Sequence, residues 1–373
     1  MRSHTFMTGT SGSIVVCISP LTSLMMDQRA KYTPTGMQAE FVGEAQTHPA
    51  IKDKVLRGKV QLVFITPESI ISSSVYRKML MPAVYTEKLV AVVVDEAHCV
   101  KTWGDQFRTT FAQTGDLLSL IPSTVNIMTL TATATSETLC VVRCRLSMDK
   151  PTLIALPPCK DNIKYQVHSK IDVDDFTISL CREFVSKRTS FPKTVIYVRL
   201  YSDCTSVYML LKHKMGIAFT EPPGYPNLSG FRLVDMFTAV LTTEKKEEVL
   251  GSFAKSGGKL RLIIATTAFG MGIDCPDIRR IVHWGMPSTL EEYVQETGRS
   301  GRDGKPSVAL LYQGKGGRNA TNKVKDYVSN STVCRRRLLF QEFLMYSESD
   351  ISVNGCKCCD VCEKSCTCAW CSQ

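Results

Sequence analysis

The sequence predicts an α/β fold, with two parallel-sheet domains in tandem and a small helical module rich in cysteine behind them. Three observations lead there. Short β-branched runs alternate with stretches of helical spacing, once in the first half and again after a proline-marked pause. The runs are apolar on both faces, as parallel strands covered by helices have to be. Seven of the 16 cysteines crowd between Cys356 and Cys371, a density that calls for an account of its own.

In the first half the expected strands are Ser13–Ser19, Gln61–Ile65, Leu89–Val94 and Asn126–Leu130. Each stops at a polar or turn residue: Ser19-Pro20, Thr66-Pro67, Asp95-Glu96 and Thr131-Ala132-Thr133. Ligands of open α/β sheets bind at the carboxyl ends of the strands, so these polar groups are candidates for a site. Ala155–Asp161, with Pro157 and Pro158, reads as a linker. Beyond it Lys193–Val198, Lys259–Ala265, Arg280–His283 and Ser307–Leu311 are expected strands, and Ser202–Lys214 and Glu244–Phe253 carry helical spacing. Phe219–Gly230, rich in Pro and Gly, reads as a surface insertion. After Gly314 a polar stretch leads into a basic helix over Arg335–Met345 and then the cysteine tail. The expected domains are residues 1–155, 156–313 and 314–373.

Hydrophobic content of 44% in 373 residues is enough for sizeable cores. A formal net charge of +10 favours polyanionic partners, of which nucleic acid is the simplest. No apolar run is long enough to span a bilayer, so no membrane partner is expected. The first residues lack the apolar core of a secretory signal. Cysteines inside strand-like runs, such as Cys17, read as small buried hydrophobes in a reducing compartment.

The chemistry concentrates in a few constellations. Asp95-Glu96-Ala97-His98 follows an apolar strand. There Asp95 can hold Mg²⁺ through water, Glu96 can polarise an attacking water, and His98 can relay the state of a nucleotide. An Asp-Glu pair alone would more simply cap the next helix; the partner motifs argue for hydrolysis. Thr131 and Thr133 are spaced to contact the acidic motif, although a threonine-rich strand end is usually just a helix cap. Gly270 and Gly272, with Asp274, allow close approach of backbone to a ligand. In Gln295-Glu-Thr-Gly-Arg299-Ser-Gly-Arg302 the two guanidinium groups suit charge on a terminal phosphate. Trp103, Phe107 and Arg108 can stack on the bases of a single strand; otherwise both aromatics are core. Cys334, Cys356, Cys359 and Cys362 offer four thiolates to a tetrahedral Zn²⁺, with Cys358 a competing ligand and Cys366, Cys368 and Cys371 in surplus.

In these residues the chain resembles the RecQ family of superfamily 2 DNA helicases. The resemblance rests on Val16–Gln28, Thr66-Pro67-Glu68, Asp95–His98, Trp103-Gly-x-x-Phe107-Arg108, Thr131–Thr133, Ala268–Ile273, Gln295–Arg302 and Cys334 with the cysteine cluster, in family order over nearly the whole chain. It implies two RecA-like domains and a zinc-binding subdomain. It also implies ATP-driven 3′–5′ unwinding of single-stranded and partly duplex DNA in repair, recombination or replication. Ser19, Pro20 and Thr66 are then contacts to the strand, and Asp95, Gly270, Gly272, Asp274, Gln295, Arg299 and Arg302 face ATP and Mg²⁺. The location implied is the nucleus in a eukaryote and the cytoplasm otherwise. Protein partners are not implied.

The family's phosphate loop, ending in Gly-Lys-Ser or Gly-Lys-Thr, should precede Ser13, but Thr8–Gly12 has glycines and no lysine. The glutamine motif that reads adenine is missing too. Asp105-Gln106 stands where the family has His-Asp, and no winged helix follows the cysteines. The expectation is a RecQ-like core lacking its N-terminal part. The rivals are a hydrolysis-deficient nucleic-acid-binding module and a gene-model fragment.

Overall fold

The computed structural model describes residues 12–43, 46, 48–80, 83–102, 115, 118, 121–156, 158–169, 172–270, 275–314, 319–343 and 355–366. Trp103, Phe107, Arg108, Gly272, Asp274, Cys368 and Cys371 lie outside them. The chain divides into two compact units, Met1–Ile154 and Ala155–Gln373.

The first unit is built on a parallel sheet of β1 (Ile14–Ile18), β2 (Ala39–Val42), β3 (Leu62–Ile65), β4 (Leu89–Val94) and β5 (Asn126–Thr129), in the order β2-β3-β1-β4-β5. Every residue of β1 is buried. Side chains alternate across a strand, so both sheet faces need a core. Val16, Ile18, Val63, Ile65, Val92 and Val94 form one, and Val15, Cys17, Leu62, Phe64 and Ala91 the other. That two-sided burial is why the runs read as unbroken apolar strings. Ile18 pairs with Val94 and with Ile65, so β1, β3 and β4 finish at one level. Ser19, Thr66 and Asp95 are therefore neighbours just beyond the sheet, with Ser19 N–H bonded to the Ile65 carbonyl and Asp95 N–H to that of Ile18.

The second unit carries six parallel strands, β6 (Ile163–His168), β7 (Thr194–Val198), β8 (Val234–Phe237), β9 (Leu262–Ala265), β10 (Arg280–Trp284) and β11 (Ser307–Tyr312), ordered β6-β11-β10-β7-β9-β8. The helices Val173–Lys187 and Tyr201–Met215 pack together against Ile196, Val198, Ile264 and Val282. The helix Thr243–Ala254 covers Val195, Ile263 and Ile281 through Val249 and Phe253. Leu290–Thr297, Asn322–Ser329 and Arg335–Phe340 enclose Tyr165, Ala309 and Leu311.

The expected strands and helices form, with ends shifted by a residue or a few. Three strands were not expected: β2, β6 and β8. The helix from Arg335 ends at Phe340, short of the expected Met345, which lies outside the described residues. Two side chains fix its first turn to the sheet edge. Arg336 is fully buried and donates to the carbonyls of Asp161 and Ile163, and Arg335 grips Asp360 at 2.5 and 3.0 Å.

Candidate functional site

β4 delivers Asp95 and Glu96 to the carboxyl edge of the first sheet. Asp95 Oδ2 accepts from Gln28 Nε2 at 3.1 Å, and its Oδ1 accepts from the Glu96 N–H at 2.9 Å. Glu96 takes φ of +50°, a left-handed conformation that costs a non-glycine residue of the order of 1–3 kcal/mol. The surroundings hold it there: Ala97 N–H bonds to the Leu130 carbonyl at 2.8 Å, and Cys99 N–H to that of Glu96 at 2.9 Å. Glu96 Oε2 then lies 3.3 Å from His98 Nδ1, and the same nitrogen lies 3.2 Å from Thr131 Oγ1. Thr131 donates onward to the Thr133 carbonyl at 2.9 Å. A carboxylate, an imidazole and a hydroxyl are thus in one chain, linking the end of β4 to the end of β5.

Of the residues expected on the strand path, Ser19 and Pro20 are both buried. Thr66 caps the helix Pro67–Ser72, with Oγ1 accepting from Ser69 N–H at 3.2 Å and donating to Ser69 Oγ at 2.9 Å.

In the second unit the helix Leu290–Thr297 aims the arginine motif. It is started by Thr289, whose hydroxyl accepts from Glu292 N–H, while Glu292 accepts from Ser288 N–H at 2.6 Å. The turn that follows is held from the linker side. Lys160 Nζ donates to the Gly298 carbonyl at 2.5 Å and to that of Ser300 at 3.3 Å. Asn162 Nδ2 donates to Gly301 and Lys305 carbonyls at 2.8 and 2.7 Å. Burial first, and the Arg302 guanidinium second, pull the Lys160 ammonium below its usual range. Arg299 is 7% exposed, and its Nε has no hydrogen-bond partner among the described residues. A buried guanidinium nitrogen left over in this way fits an anion such as a nucleotide phosphate. Arg302 is exposed and Gln295 half-buried. Gly270 closes the turn Thr267–Gly270, beside the buried Phe269.

The cysteine site differs from expectation in one ligand. Cys334, Cys358, Cys359 and Cys362 bring their sulfurs within 4.8 Å of one another. Cys356 is not in this set: it is the second residue of the turn Gly355–Cys358 and half-exposed, whereas Cys358 closes the turn buried. Zn–S bonds of ~2.3 Å in a tetrahedron put sulfurs roughly 3.8 Å apart, so the set fits a zinc ion. The Cys334 and Cys358 sulfurs are 3.4 Å apart. Hydrogen bonds from the Cys334 and Cys358 thiols, with N–H groups of Cys362 and Arg335 at 3.4 Å, hold the Cys359 thiol well below its usual range. Burial pushes Cys362 up to about 12.

Lys160, Asn162, Gln28 and the pair His283–Glu296 were not assigned from sequence. Gln28 was within a recognised motif; Lys160 stood in what read as linker, where nothing marked it.

The family model described as DEAD/DEAH box helicase matches residues 3–140, and the one described as helicase conserved C-terminal domain matches 177–304. The ATP-dependent DNA helicase RecQ of Pasteurella multocida is 30% identical over 80% of this chain. The ATP-dependent DNA helicase Q1 of Mus musculus is 29% identical over 89%, and the RecQ-like DNA helicase blm-1 of Caenorhabditis elegans 29% over 94%. The chain spans 43%, 51% and 36% of those relatives' own lengths, in that order. Among solved structures, S. cerevisiae Dbp5 bound to RNA and ADP BeF3 is similar with a TM-score of 0.62 at 17% identity, over 86% of this chain and 76% of that one. Mycobacterium smegmatis helicase Lhr bound to ssDNA and AMP-PNP gives 0.59 at 20%, over 81% and 40%. At such identities the likeness is one of fold, two RecA-like domains in tandem.

Proposed function

We propose, for a chain that belongs to the RecQ-type DEAD/DEAH-box helicases, that it is the core of an ATP-driven 3′–5′ DNA helicase. The observation that carries the reading is the strained Glu96, placed 3.3 Å from His98 in the chain that ends at Thr131. Strain of this kind persists where the surrounding structure over-determines it, often at catalytic positions. Bound Mg²⁺ would offset phosphate charge, and Asp95 is the residue to hold it through water. Glu96 orients and polarises the attacking water, and His98 passes the state of Glu96 to Thr131. Arg299 and Arg302 offset charge on the terminal phosphate, and Gln295, Gly270, Gly272 and Asp274 complete the nucleotide contacts. Ser19, Pro20, Thr66 and the segment with Trp103, Phe107 and Arg108 form the path of a single strand or of the single-stranded arm of a partial duplex. The cysteines hold a structural Zn²⁺. Residues 1–155, 156–313 and 314–373 act as first motor domain, second motor domain and zinc subdomain. DNA repair or recombination is the setting, in the nucleus if the source is eukaryotic and in the cytoplasm otherwise.

No Gly-Lys-Ser or Gly-Lys-Thr occurs in the 373 residues, and positioning of the phosphates is most of phosphoryl-transfer catalysis. These residues alone should therefore bind DNA and hydrolyse ATP weakly. The test is steady-state ATPase activity and single-strand binding across a salt series. Weak turnover with affinity that falls steeply with salt is expected. Robust turnover abolished by Glu96→Gln would show that another segment cradles the phosphates; absence of DNA binding at low salt would end the helicase reading.

A further inference from the structure

Phe219–Gly230, the Pro- and Gly-rich insertion, takes no part in the chemistry above, yet it is built with care. Arg188 donates to the carbonyls of Ala218 at 2.6 Å and Thr220 at 2.5 Å, and pairs with Glu221 at 2.8 Å. Thr220 Oγ1 lies 3.2 Å from the carbonyls of both Pro222 and Tyr225. Glu221 N–H bonds to the Phe231 carbonyl and Gly224 N–H to that of Ile217, while the Tyr225 and Phe231 rings meet at 5.1 Å. The segment is thereby held as a wall beside the helix Tyr201–Met215.

Between that wall and the helix lies a groove of about 470 Å³, lined by Met209, Lys212, His213, Ile217 and Tyr225 among others. On the other side of His213 it is joined by a second, of about 640 Å³, lined by Arg182, Val185 and Lys214. Ile217 is 75% exposed, Met209 55% and Tyr225 49%. Single exposed apolar side chains need no explanation, but several around one concavity mark a binding surface. The charged side chains that line it are basic. Neither groove is lined by a carboxylate. Lys214 pairs with Asp174 at 2.9 Å, whereas Arg182, Lys212 and His213 form no ion pair among the described residues.

We propose that this face docks a short peptide segment of a partner protein, with acidic residues flanking one bulky apolar side chain. The apolar side chain seats between Met209, Ile217 and Tyr225. The flanking carboxylates meet Lys212, His213 and Arg182. A preformed wall keeps the ordering cost of such docking low. Two cations, Lys212 and Arg182, with an imidazole between them around an apolar depression match a peptide better than they match a run of evenly spaced phosphates. The proposal does not depend on the helicase reading.

The experiment is selection of a phage-displayed library of random 12-residue peptides on the purified chain, followed by fluorescence anisotropy with the selected peptide. Enrichment of Asp or Glu around Leu, Phe or Trp is expected. Lys212→Glu, Arg182→Glu and Ile217→Asp should each weaken the peptide by roughly tenfold or more, the order of one lost charged or apolar contact. The same variants should keep the wild-type melting temperature and the wild-type affinity for a single-stranded oligonucleotide. The proposal is overturned if no acidic–apolar consensus emerges, or if the selected peptide binds the three variants unchanged. It is equally overturned if the variants lose oligonucleotide affinity, which would make the face a nucleic-acid surface.

Discussion

His283 Nε2 lies 2.7 Å from Glu296 Oε2, with both side chains almost completely out of water. His283 stands on β10, stacked on Tyr197 at 5.3 Å, and Glu296 sits on the helix that aims Arg299. The pair joins the sheet to the arginine motif. Burial pushes the Glu296 carboxyl up, against the pull of the imidazole.

Removing one partner of a buried pair leaves the other uncompensated, at a cost of about 3–5 kcal/mol. Glu296→Ala should lower the stability of the second unit by about that much. Glu296→Gln should cost less, because its amide oxygen still accepts from the imidazole N–H. Denaturant unfolding followed by fluorescence checks the order. Equal losses for the two variants would mean that the carboxylate's charge, which both remove, outweighs the hydrogen bond and volume that only Gln keeps.

The arginine turn gives a second prediction. Gly301 has φ of +56°, and a Cβ there would stand 2.3 Å from Asn162 Nδ2 and 2.9 Å from the Lys305 carbonyl. Gly301→Ala meets both left-handed strain and a backbone clash, so a loss of roughly 3 kcal/mol or more is expected. Lys160→Met should be milder, about 1–3 kcal/mol, since it leaves two carbonyls to water rather than forcing them apart. Thermal melts of the two variants give the ranking, and Gly301→Ala melting like the parent would refute it.

Much of this fold was legible because burial on both faces leaves a plain mark. Ile14–Ile18 and Leu89–Val94 are unbroken apolar strings, and their polar terminators, Ser19 and Asp95, lie where the candidate site lies. The three missed strands lack that mark. β6, Ile163–His168, alternates Ile-Lys-Tyr-Gln-Val-His because it is an edge strand, and the short edge strands β2 and β8 are interrupted by Glu40 and Asp235. Lys160 and Asn162 act on carbonyls 138 to 143 residues away, and His283 and Glu296 meet across 13 residues; no local spacing announces such contacts. In the cysteine tail, spacing favoured Cys356. The choice of Cys358 depends on which side chain the Gly355–Cys358 turn directs inward.

Acid should reveal the next pair. Arg280 makes two hydrogen bonds with Glu183, at 2.9 and 3.0 Å, and with help from Lys187 holds its carboxyl down from 4.5 to about 2. A depressed carboxyl adds stability above its unfolded pKa and loses it as pH falls through the folded one. The contribution is thus complete above about pH 4.5 and fades towards pH 2. The pair is partly exposed, so screening limits it to about 1 kcal/mol. Glu183→Gln should be less stable than the parent at pH 6 and should close the gap as pH approaches 2. A gap that stays constant over this range would show that the ion pair contributes nothing.

The metal ligands provide the last prediction, because the sequence and the structure name different sets. Both include Cys334, Cys359 and Cys362; the fourth is Cys356 by spacing and Cys358 by geometry. Zinc has to displace protons from its thiols, and the hydrogen bonds that hold Cys359 low favour that in the metal-free site. Cys358→Ser should therefore release zinc, as Cys359→Ala should, while Cys356→Ser retains one ion per chain. Elemental analysis after purification without added metal decides between them. The stripped site should not unfold the sheet, since Arg335 remains paired with Asp360 and Arg336 with the carbonyls at the start of β6. Limited proteolysis should then cut near the cysteines while β6 and β11 persist. If Cys356→Ser empties the site and Cys358→Ser leaves it filled, the ligand set is the one that spacing suggested.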